Sequence, residues 1–467
     1  MKAVRRAARL ASLLLILFPS CSPRTPASSA GTTDGLDRTA ESIRTRGLVD
    51  EGAFDFLRAL CDLGPRLTGS EGAAKAVAWS RAAMDSLGFE TWLEPVTVQH
   101  WVRGQAEAGL SVPGRPGSIP LAVAALGLSV PTPPAGLTAQ AVEVRSFEDL
   151  DRAGSRVRGR IVFFNAAMDR TLMDTFRAYG EAVQYRARGA SEAAKRGAIA
   201  AIVRSPTGRL DDHPHTGILT YEPDAPRVPA AAVSTLAAEF LSARLRENPE
   251  AEITLRMSCR TLADVPSANV VGQIRGTEKP EEIVLLGAHL DSWDLSAGAN
   301  DDAAGCAQCL EALRLIRDSG LKPRRTIRAV LFMNEEFGAS GGRDYAASGR
   351  RSAERHIAAM ESDRGAGTPL GFFVGGDPLA AGKLEAFESL LRPSGILWVR
   401  TGGGGGADIG PLAAGGTVMM SFLPDVQRYF DFHHSALDTL ESVHPRELEL
   451  GAIAMAVMAA ALAEKGI

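Results

Sequence analysis

The pattern of apolar and polar positions divides the chain into three parts. In the last part, from residue 268 on, continuous apolar runs such as "EEIVLLGAH" and "RTIRAVLFMNEE" alternate with segments such as "DDAAGCAQCLEALRLIRDSG", whose apolar residues recur every three or four positions. Continuous runs of this kind predict buried strands, and the wider spacing predicts helices. Regular alternation of the two predicts an α/β fold in which a sheet lies between layers of helices.

The first and middle parts have different patterns. Two amphipathic helices are predicted early in the chain, the first from "EGAFDFLRALCDLG" and the second ending near Leu87. From 106 to 264, short apolar runs such as "RIVFFNA" and "AIAAIVRS" are separated by Pro and Gly turns, which predicts a strand-rich insert with one or two helices. Because 467 residues exceed what one hydrophobic core normally supports, we expect one domain formed by 46–105 and 265–467 and a second formed by the insert.

The N-terminus has the pattern of an export signal. Basic residues precede an apolar stretch from Leu10 to Phe18, which is too short to span a bilayer, and small residues and Cys21 follow. We predict a signal peptide over 1–20, lipidation of Cys21 and a flexible tether over 21–45. The protein would then be exported, as a periplasmic or outer-membrane lipoprotein of a bacterium or as a secreted protein. The alternative is a plain cleaved signal in which Cys21 has no role.

Charge and cysteine content argue against two functional classes, nucleic-acid binding and C-x-x-C redox or zinc chemistry. The 51 basic and 55 acidic residues give a net charge of −4 with no basic tract, so we expect no binding to nucleic acid. Cys306 and Cys309 form a C-x-x-C pair, which is compatible with a redox or zinc motif. Both lie at helical spacing with apolar residues, and no second C-x-x-C completes a zinc site, so we expect them to line the buried face of a helix.

Polar side chains follow each predicted strand of the last part, and these are the candidate metal-binding and catalytic residues. Taken singly, such a residue is usually a turn former or a helix cap. Together they place histidines and carboxylates at successive strand ends, where the loops of a parallel sheet face a common crevice. This combination of nitrogen and oxygen ligands is typical of zinc. The residues concerned are His289, Asp291, Asp301, Glu335, Glu336, Asp363, His433 and His434.

The motifs that contain these residues resemble those of a known enzyme family. "GAHLDSWD", "GANDDAAG", "NEEFG", "MESD" and "FHHSALDT" are similar to the motif series of the di-zinc aminopeptidase family, peptidase clan MH. "VQYRARGASEAAKRGA", "PHTGI" and "YFDFHHS" resemble its carboxypeptidase Q branch, also called plasma glutamate carboxypeptidase. The resemblance implies a three-layer α/β/α zinc-exopeptidase domain with a mostly parallel mixed sheet. It also implies a protease-associated domain in the insert and a homodimer.

Carried over position by position, the resemblance assigns a role to each candidate. His289 and Asp363 would bind one zinc ion, Glu336 and His434 a second, and Asp301 would bridge the two. His434 matches the family motif better than His433. Three further assignments follow. Glu335 would be the general base and acid, the Asp291 carboxylate would orient the ring of His289, and Glu361, Gly404 and Asp408 would contact substrate.

The sequence departs from the family motifs at three positions, and the resemblance leaves more than one function open. Ala303 and Ala304 stand where the family usually has glycine, and Asn334 stands where it usually has a small residue. None of these removes a ligand. The expected reaction is hydrolysis of dipeptides, or of the N-terminal residue of short peptides, by metal-activated water. The alternatives are a true carboxypeptidase with a cationic clamp, a one-zinc glutaminyl cyclase and a non-catalytic receptor. The candidate clamp residues are Arg343, Arg364 and Arg428.

Overall fold

A computed structural model describes residues 33–375 and 378–467. The signal peptide, Cys21 and the tether as far as residue 32 lie outside the described residues. The helices are α1 (Thr33–Val49), α2 (Gly52–Cys61), α3 (Glu71–Ser86), α4 (Phe147–Ala153), α5 (Thr175–Lys195), α6 (Thr235–Glu247), α7 (Ala304–Asp318), α8 (Ser340–Ala347), α9 (Pro378–Glu385), α10 (Glu388–Leu391) and α11 (Pro445–Lys465). The strands are β1 (Glu90–Val102), β2 (Ala106–Ser111), β3 (Ile119–Leu121), β4 (Val123–Ala125), β5 (Leu137–Val144), β6 (Ile161–Phe164), β7 (Ala200–Arg204), β8 (Ala230–Val233), β9 (Glu252–Met257), β10 (Arg260–Ile274), β11 (Lys279–His289), β12 (Arg325–Phe332), β13 (Arg355–Glu361), β14 (Pro369–Gly375), β15 (Trp398–Thr401) and β16 (Val418–Pro424).

The first sheet carries the candidate chemistry. Its eight strands lie in the order β1-β10-β12-β11-β13-β16-β14-β15. The strands β12, β11, β13 and β16 run parallel, whereas β1–β10, β10–β12 and β14–β16 are antiparallel pairs. β11, β12 and β13 are almost entirely buried, as expected for parallel strands covered on both faces. The prediction of an α/β fold with a mixed sheet is confirmed.

Helices cover this sheet unequally. On one face α1, α2, α3, α7 and α11 pack into a large apolar core, in which Cys306 and Cys309 are buried as predicted. On the other face the layer is thin. It consists of Tyr345 from α8 and of Ile409 and Leu412 around a short 3₁₀ turn. The metal-ligand candidates lie at the edge of the sheet between these two layers.

The second sheet is built from the middle of the chain. Its strands lie in the order β3-β2-β9-β5-β6-β7-β8-β4, and β5, β6, β7 and β8 run parallel. Three helices, α4, α5 and α6, accompany it, rather than the one or two expected. The long antiparallel pair β1–β10 belongs to the first sheet, and the chain enters the second sheet from β1 and leaves it into β10. The expected insert boundary at residue 264 falls inside β10.

The prediction of a tether over 21–45 is wrong for residues 33–45, which form most of α1. Ala40 and Ile43 on this helix are buried, and the helix packs against α11. With the partly buried Leu36, these residues have the spacing of one apolar helix face within a mainly polar sequence. Among the described residues no helix is both long and apolar enough to cross a membrane.

A buried arginine holds the loop between β11 and the turn that precedes α7. Arg66 is fully buried, and its Nε donates a hydrogen bond to the carbonyl of Leu290 at 2.8 Å. Its Nη2 donates to the carbonyl of Gly298 at 3.2 Å, and its Nη1 donates to the carbonyl of Ala297. One guanidinium therefore satisfies both ends of the loop that carries the first polar motif.

We expect Arg66→Met to lower the free energy of unfolding by about 3 kcal/mol or more, because each buried carbonyl left without a donor costs about 1–3 kcal/mol. Denaturant unfolding followed by circular dichroism measures this. Arg58→Met is the matched control, because Arg58 on α2 is half exposed, forms an ion pair with the exposed Asp55 and stacks over the ring of Phe54. Equal losses in the two variants would show that Arg66 does not hold this loop.

Candidate metal centre

The carboxyl ends of β11, β12 and β13 meet at one edge of the first sheet. His289, the last residue of β11, pairs in register with Phe332, the last residue of β12. Gly287 pairs with Glu361 at the end of β13. Residues that follow these strands therefore enter one crevice, as the rule for parallel α/β sheets predicts. The structure brings the candidate ligands of five motifs together there.

Asp301 lies between two histidines. Its Oδ1 is 3.1 Å from Nε2 of His289, and its Oδ2 is 3.1 Å from Nε2 of His434. Two ligand atoms that each lie about 2.0–2.1 Å from one tetrahedral zinc are about 3.3 Å apart. Each oxygen of Asp301 is thus placed to share a metal ion with a different histidine. This spacing would suit a carboxylate that bridges two metal ions.

Glu336 and Asp363 stand beside the two histidines. Oε2 of Glu336 is 3.1 Å from Nε2 of His434, and Oδ1 of Asp363 is 3.5 Å from Nε2 of His289. Oδ2 of Asp301 and Oε1 of Glu336 are buried and accept no hydrogen bond. Buried oxygens without a donor are rare in folded proteins and require an explanation. Two imidazoles and three carboxylates fit zinc, and bound zinc would satisfy both oxygens.

The carboxylates raise the proton affinity of the histidines. Burial alone would lower the pKa of His434, but Glu336 and Asp301 outweigh burial and raise it to about 9. For His289, hydrogen bonds to Asp301 and Asp363 likewise outweigh burial and raise its pKa. A histidine must be neutral to bind zinc, so metal binding has to release these protons. The affinity for zinc should therefore fall as the pH falls.

Asp291 has a different function from the predicted one. The ring of His289 contacts the backbone carbonyl of Asp291, at 2.9 Å from Nδ1, whereas the nearest carboxylate oxygen is 3.9 Å away. The Asp291 carboxylate instead accepts hydrogen bonds from the backbone N–H groups of Asn334, Glu335 and Glu336, at 2.7, 3.1 and 3.3 Å. The prediction that this carboxylate orients His289 is wrong, because the turn after β12 presents three donors to it.

That turn also explains one departure from the family motif. Asn334 has a φ of 74°, in the left-handed region, and asparagine tolerates this conformation better than most residues with a side chain. Its side-chain amide donates to Oγ of Ser340 at 2.8 Å. Asn334 therefore replaces the small residue usual at this position and can adopt the left-handed backbone conformation of the turn.

Glu335, the predicted general base, lines the cleft in front of the ligand candidates. The cleft has a volume of about 420 Å³, and Asp301, Asp363 and His434 also line it. Burial raises the pKa of the Glu335 carboxyl, and the neighbouring Asp363 carboxylate raises it further. A carboxyl with a raised pKa is suited to receiving and returning a proton near neutral pH.

The two adjacent histidines have different positions. The rings of His433 and His434 stack with their centroids 3.5 Å apart, and His433 Nε2 is 3.7 Å from Asp301, farther than the 3.1 Å of His434. Nδ1 of His434 lies 3.3 Å from the backbone carbonyl of Thr216 and 3.4 Å from Nη1 of Arg186, both residues of the insert. The insert therefore supplies the acceptor that orients this ring, as usual for a ligating histidine.

The three predicted substrate residues occupy different places. Glu361 lines a smaller cleft of about 170 Å³ next to the metal cleft, with one oxygen accepting from the N–H of Ile409 at 2.9 Å. Asp408 is buried nearby, and burial together with Glu361 raises its pKa. Gly404 packs against the backbone of Gly375, where a side chain has no room. Of these, Glu361 faces a cleft that a substrate could occupy.

Four residues that the sequence analysis did not single out complete the centre. Trp293 Nε1 donates to Glu336 Oε2, and Thr216 orients His434. Asp438 accepts hydrogen bonds from the backbone N–H groups of Asn300 and Asp301 at 2.6 and 3.1 Å. Arg186 lines the metal cleft. All four lie within motifs quoted from the sequence, which were the available signal: "GAHLDSWD", "PHTGI", "FHHSALDT" and "VQYRARGASEAAKRGA".

Comparison with known proteins identifies the family. Residues 269–459 match peptidase family M28. Carboxypeptidase Q from Homo sapiens is 37% identical over 425 residues, which cover 91% of this chain and 88% of the relative. The chain belongs to peptidase family M28. It is a metallopeptidase, and the family resemblance seen in the sequence motifs is confirmed.

Solved structures agree with the fold. The M28 peptidase precursor from Shewanella amazonensis SB2B is 36% identical, with a TM-score of 0.89 over 93% of this chain and 98% of that chain. A zinc aminopeptidase from Bacillus subtilis is 19% identical, with a TM-score of 0.64 over 89% of this chain and 95% of that chain. The second likeness shows the fold alone.

We expect Asp438→Asn to weaken zinc binding about 10-fold to 100-fold, as changes behind a metal ligand typically do, because Asp438 holds the backbone of the bridging residue. Competition for zinc with a fluorescent chelator measures the dissociation constant. Asp425→Asn is the control, since Asp425 is exposed and accepts only from the N–H of Gln427 in its own turn. Unchanged zinc affinity in Asp438→Asn would contradict this role.

Proposed function

We propose that the protein is an exported di-zinc exopeptidase that hydrolyses dipeptides, or removes the N-terminal residue of short peptides. The observation that carries the proposal is the position of Asp301, whose two oxygens each lie 3.1 Å from a different histidine. A one-metal centre would need only one of these pairs. The geometry therefore favours two zinc ions over the single ion of a glutaminyl cyclase. The presence of all five ligand candidates and Glu335 argues against a non-catalytic receptor.

Zinc in this centre would supply a polarised peptide carbonyl and a water molecule that loses its proton near neutral pH. Proton transfer and metal binding would be carried out by side chains of the protein. Glu335 accepts the proton of the attacking water and passes it to the leaving amine. His289, Asp363, Glu336 and His434 would hold the metals, with Asp301 between them.

The cleft limits the size of the substrate. Phe176 and Tyr179 of α5, in the insert, line it together with Tyr429 and Phe430 of the first domain. The four rings form an apolar wall in which Phe176 stacks on Tyr429 with centroids 5.4 Å apart, and Tyr179 stacks on Phe430 at 4.4 Å. Since the insert closes one side of a cleft of about 420 Å³, short peptides with apolar side chains fit best.

A true carboxypeptidase is the second candidate, and Arg186 favours it. Its guanidinium is buried in the metal cleft, its Nη1 donates to the carbonyl of Thr216 at 3.1 Å, and its Nε has no hydrogen-bond partner. A free C-terminal carboxylate is the natural acceptor for such a group. Of the clamp residues named from the sequence, Arg343 and Arg428 are exposed, whereas Arg364 packs over the ring of Phe176 and lines the smaller cleft with Glu361.

Export, lipidation of Cys21, assembly as a homodimer and the identity of the insert as a protease-associated domain stay predictions from the sequence and its resemblance. They are independent of the metal chemistry. A monomer that still cleaves dipeptides would leave the proposed reaction intact and remove only the expected dimer.

We expect the native protein to bind two zinc ions per chain. Glu335→Gln should keep both and lose about 10²-fold to 10⁴-fold in kcat, because only proton transfer is removed. Glu336→Gln should instead lose one ion, because it removes a ligand. Plasma emission spectrometry on dialysed protein and dipeptide hydrolysis measure the two effects. Reversed phenotypes would exchange the roles of base and ligand.

We expect N-acetylation of a dipeptide to abolish cleavage and C-terminal amidation only to slow it. The carboxylates of Glu335, Glu361 and Asp363 near the metals attract an ammonium group, and an acetylated amine has no charge to bind them. Steady-state kinetics with matched free, acetylated and amidated dipeptides measure the difference. Loss of cleavage on amidation alone would support the carboxypeptidase candidate instead.

A further inference from the structure

The second metal position consists of Glu336 and His434, and each of the two is held by a group that does not line the metal cleft. Trp293 Nε1 donates to Oε2 of Glu336, the same oxygen that lies 3.1 Å from Nε2 of His434. The backbone carbonyl of Thr216, in the insert, lies 3.3 Å from Nδ1 of His434. Because a carboxylate oxygen has two lone pairs, Oε2 can accept from the indole and still face a metal ion. Trp293 and Thr216 therefore set the direction of these two ligands.

Trp293 packs into the insert, although it lies in the loop after β11. Only 3% of it is exposed, and it is buried in the same apolar core as Ala125 of the insert. Phe337, the residue after Glu336, belongs to this core too, and its ring meets the indole edge to face with centroids 5.2 Å apart. The core of the insert therefore holds both the indole that binds Glu336 and the residue next to Glu336.

Gly127 of the insert lies directly against the indole. A methyl group at this position would lie 2.1 Å from Cη2 and 2.6 Å from Cζ3 of Trp293, whereas carbon atoms pack at about 3.5–4.0 Å. The φ of Gly127 lies outside the left-handed region, so the ring, not the backbone, requires glycine here. Its N–H donates to the carbonyl of Gly217 at 2.9 Å, and its carbonyl accepts from the N–H of Leu219 at 3.1 Å. Gly127 is thus paired with the segment that begins at Thr216, and one part of the insert reaches both ligands.

The first metal position, which consists of His289 and Asp363, has other supports. The backbone N–H of His289 donates to Asp302 at 3.0 Å, and its Nδ1 lies 2.9 Å from the carbonyl of Asp291. Asp363 follows β13, a strand of the first sheet. These supports belong to the first domain, so a shift of the insert would leave them in place.

We propose that the insert controls the second metal position selectively, with Trp293 as the positioning residue that connects Gly127 to Glu336. The second position binds zinc tightly only while the insert is docked on Trp293, whereas the first depends on partners of the first domain. The inference rests on the proposed binding of two zinc ions. It adds that the insert, besides limiting access to the cleft, sets the zinc content of the centre.

Gly127→Ala tests the proposal without changing a ligand or Trp293. Zinc titration of the metal-free full chain in competition with a fluorescent chelator gives a dissociation constant for each position, and Glu336→Gln and Asp363→Asn identify the two constants. We expect Gly127→Ala to weaken the second position about tenfold or more and to leave the first unchanged, because the added methyl group displaces the indole. Gly180→Ala is the matched control, since Gly180 is an exposed glycine of α5 in the insert at which a methyl group has open space.

Combining Gly127→Ala with Trp293→Phe separates this mechanism from a general loss of stability. Phenylalanine has neither the Nε1 donor nor the Cη2 atom that the methyl group would meet. We therefore expect Trp293→Phe alone to weaken the second position, and the double variant to bind zinc as Trp293→Phe does. Losses that add in the double variant would show that Gly127 acts by another route and would overturn the proposal.

Other outcomes separate this inference from the proposed function. A native chain that binds one zinc ion would overturn both. Two ions in the native chain, with equal weakening of both positions or of neither in Gly127→Ala, would overturn the inference alone. If a variant does not fold by thermal melting, the tryptophan emission of the native chain during the same titration decides instead. The emission should change when the second position fills, and constant emission at that step would contradict the role of Trp293.

Discussion

The buried carboxylate of Asp301 is the interaction on which the rest of the site depends. Its position between His289 and His434 links the loop before α7 to the loop before α11, which are far apart in the sequence. A buried carboxylate is costly unless it is paired. A histidine ring lies on either side of it, and, against the effect of burial, the carboxylate helps to raise the pKa of both rings. The same rings can bind a divalent metal once they have lost these protons. One arrangement thus serves both folding and metal binding.

Other carboxylates around this centre hold backbone instead of metal. Asp291 binds the N–H groups of the turn after β12, and Asp438 binds those of Asn300 and Asp301. Asp302 accepts from the N–H of His289 at 3.0 Å. Each of these turns would otherwise leave buried donors without acceptors. The acidic residues near the crevice therefore divide into those that face the ligand positions and those that fix the turns carrying them.

The insert contributes directly to the metal centre. The carbonyl of Thr216 orients His434, and Oγ1 of Thr216 accepts from Arg103 at 2.9 Å. Arg103 also pairs with Asp294 in the loop after β11. A series of polar contacts therefore runs from His434, a ligand candidate, through Thr216 of the insert and Arg103 to Asp294 of the first domain. Movement of the insert would change the orientation of His434 as well as access to the cleft.

The sequence by itself indicated the α/β fold and, in the last part, β11, β12 and α7, because apolar spacing is a local property. It also indicated the candidate ligand residues, because polar residues that follow a strand are visible in the sequence, whereas their individual roles came from the family resemblance. It did not show that residues 33–45 pack as a helix. Leu36, Ala40 and Ile43 are few apolar residues in a polar segment, and they form a buried helix face only because α11 packs against them. It also misplaced the acceptor for His289 and did not single out Thr216, Trp293, Asp438 and Arg186. Hydrogen bonds between the two domains depend on distances that only the folded chain sets. Closeness in sequence is not sufficient either: the Asp291 carboxylate lies 3.9 Å from Nδ1 of His289, whereas the backbone carbonyl of the same residue lies 2.9 Å from it.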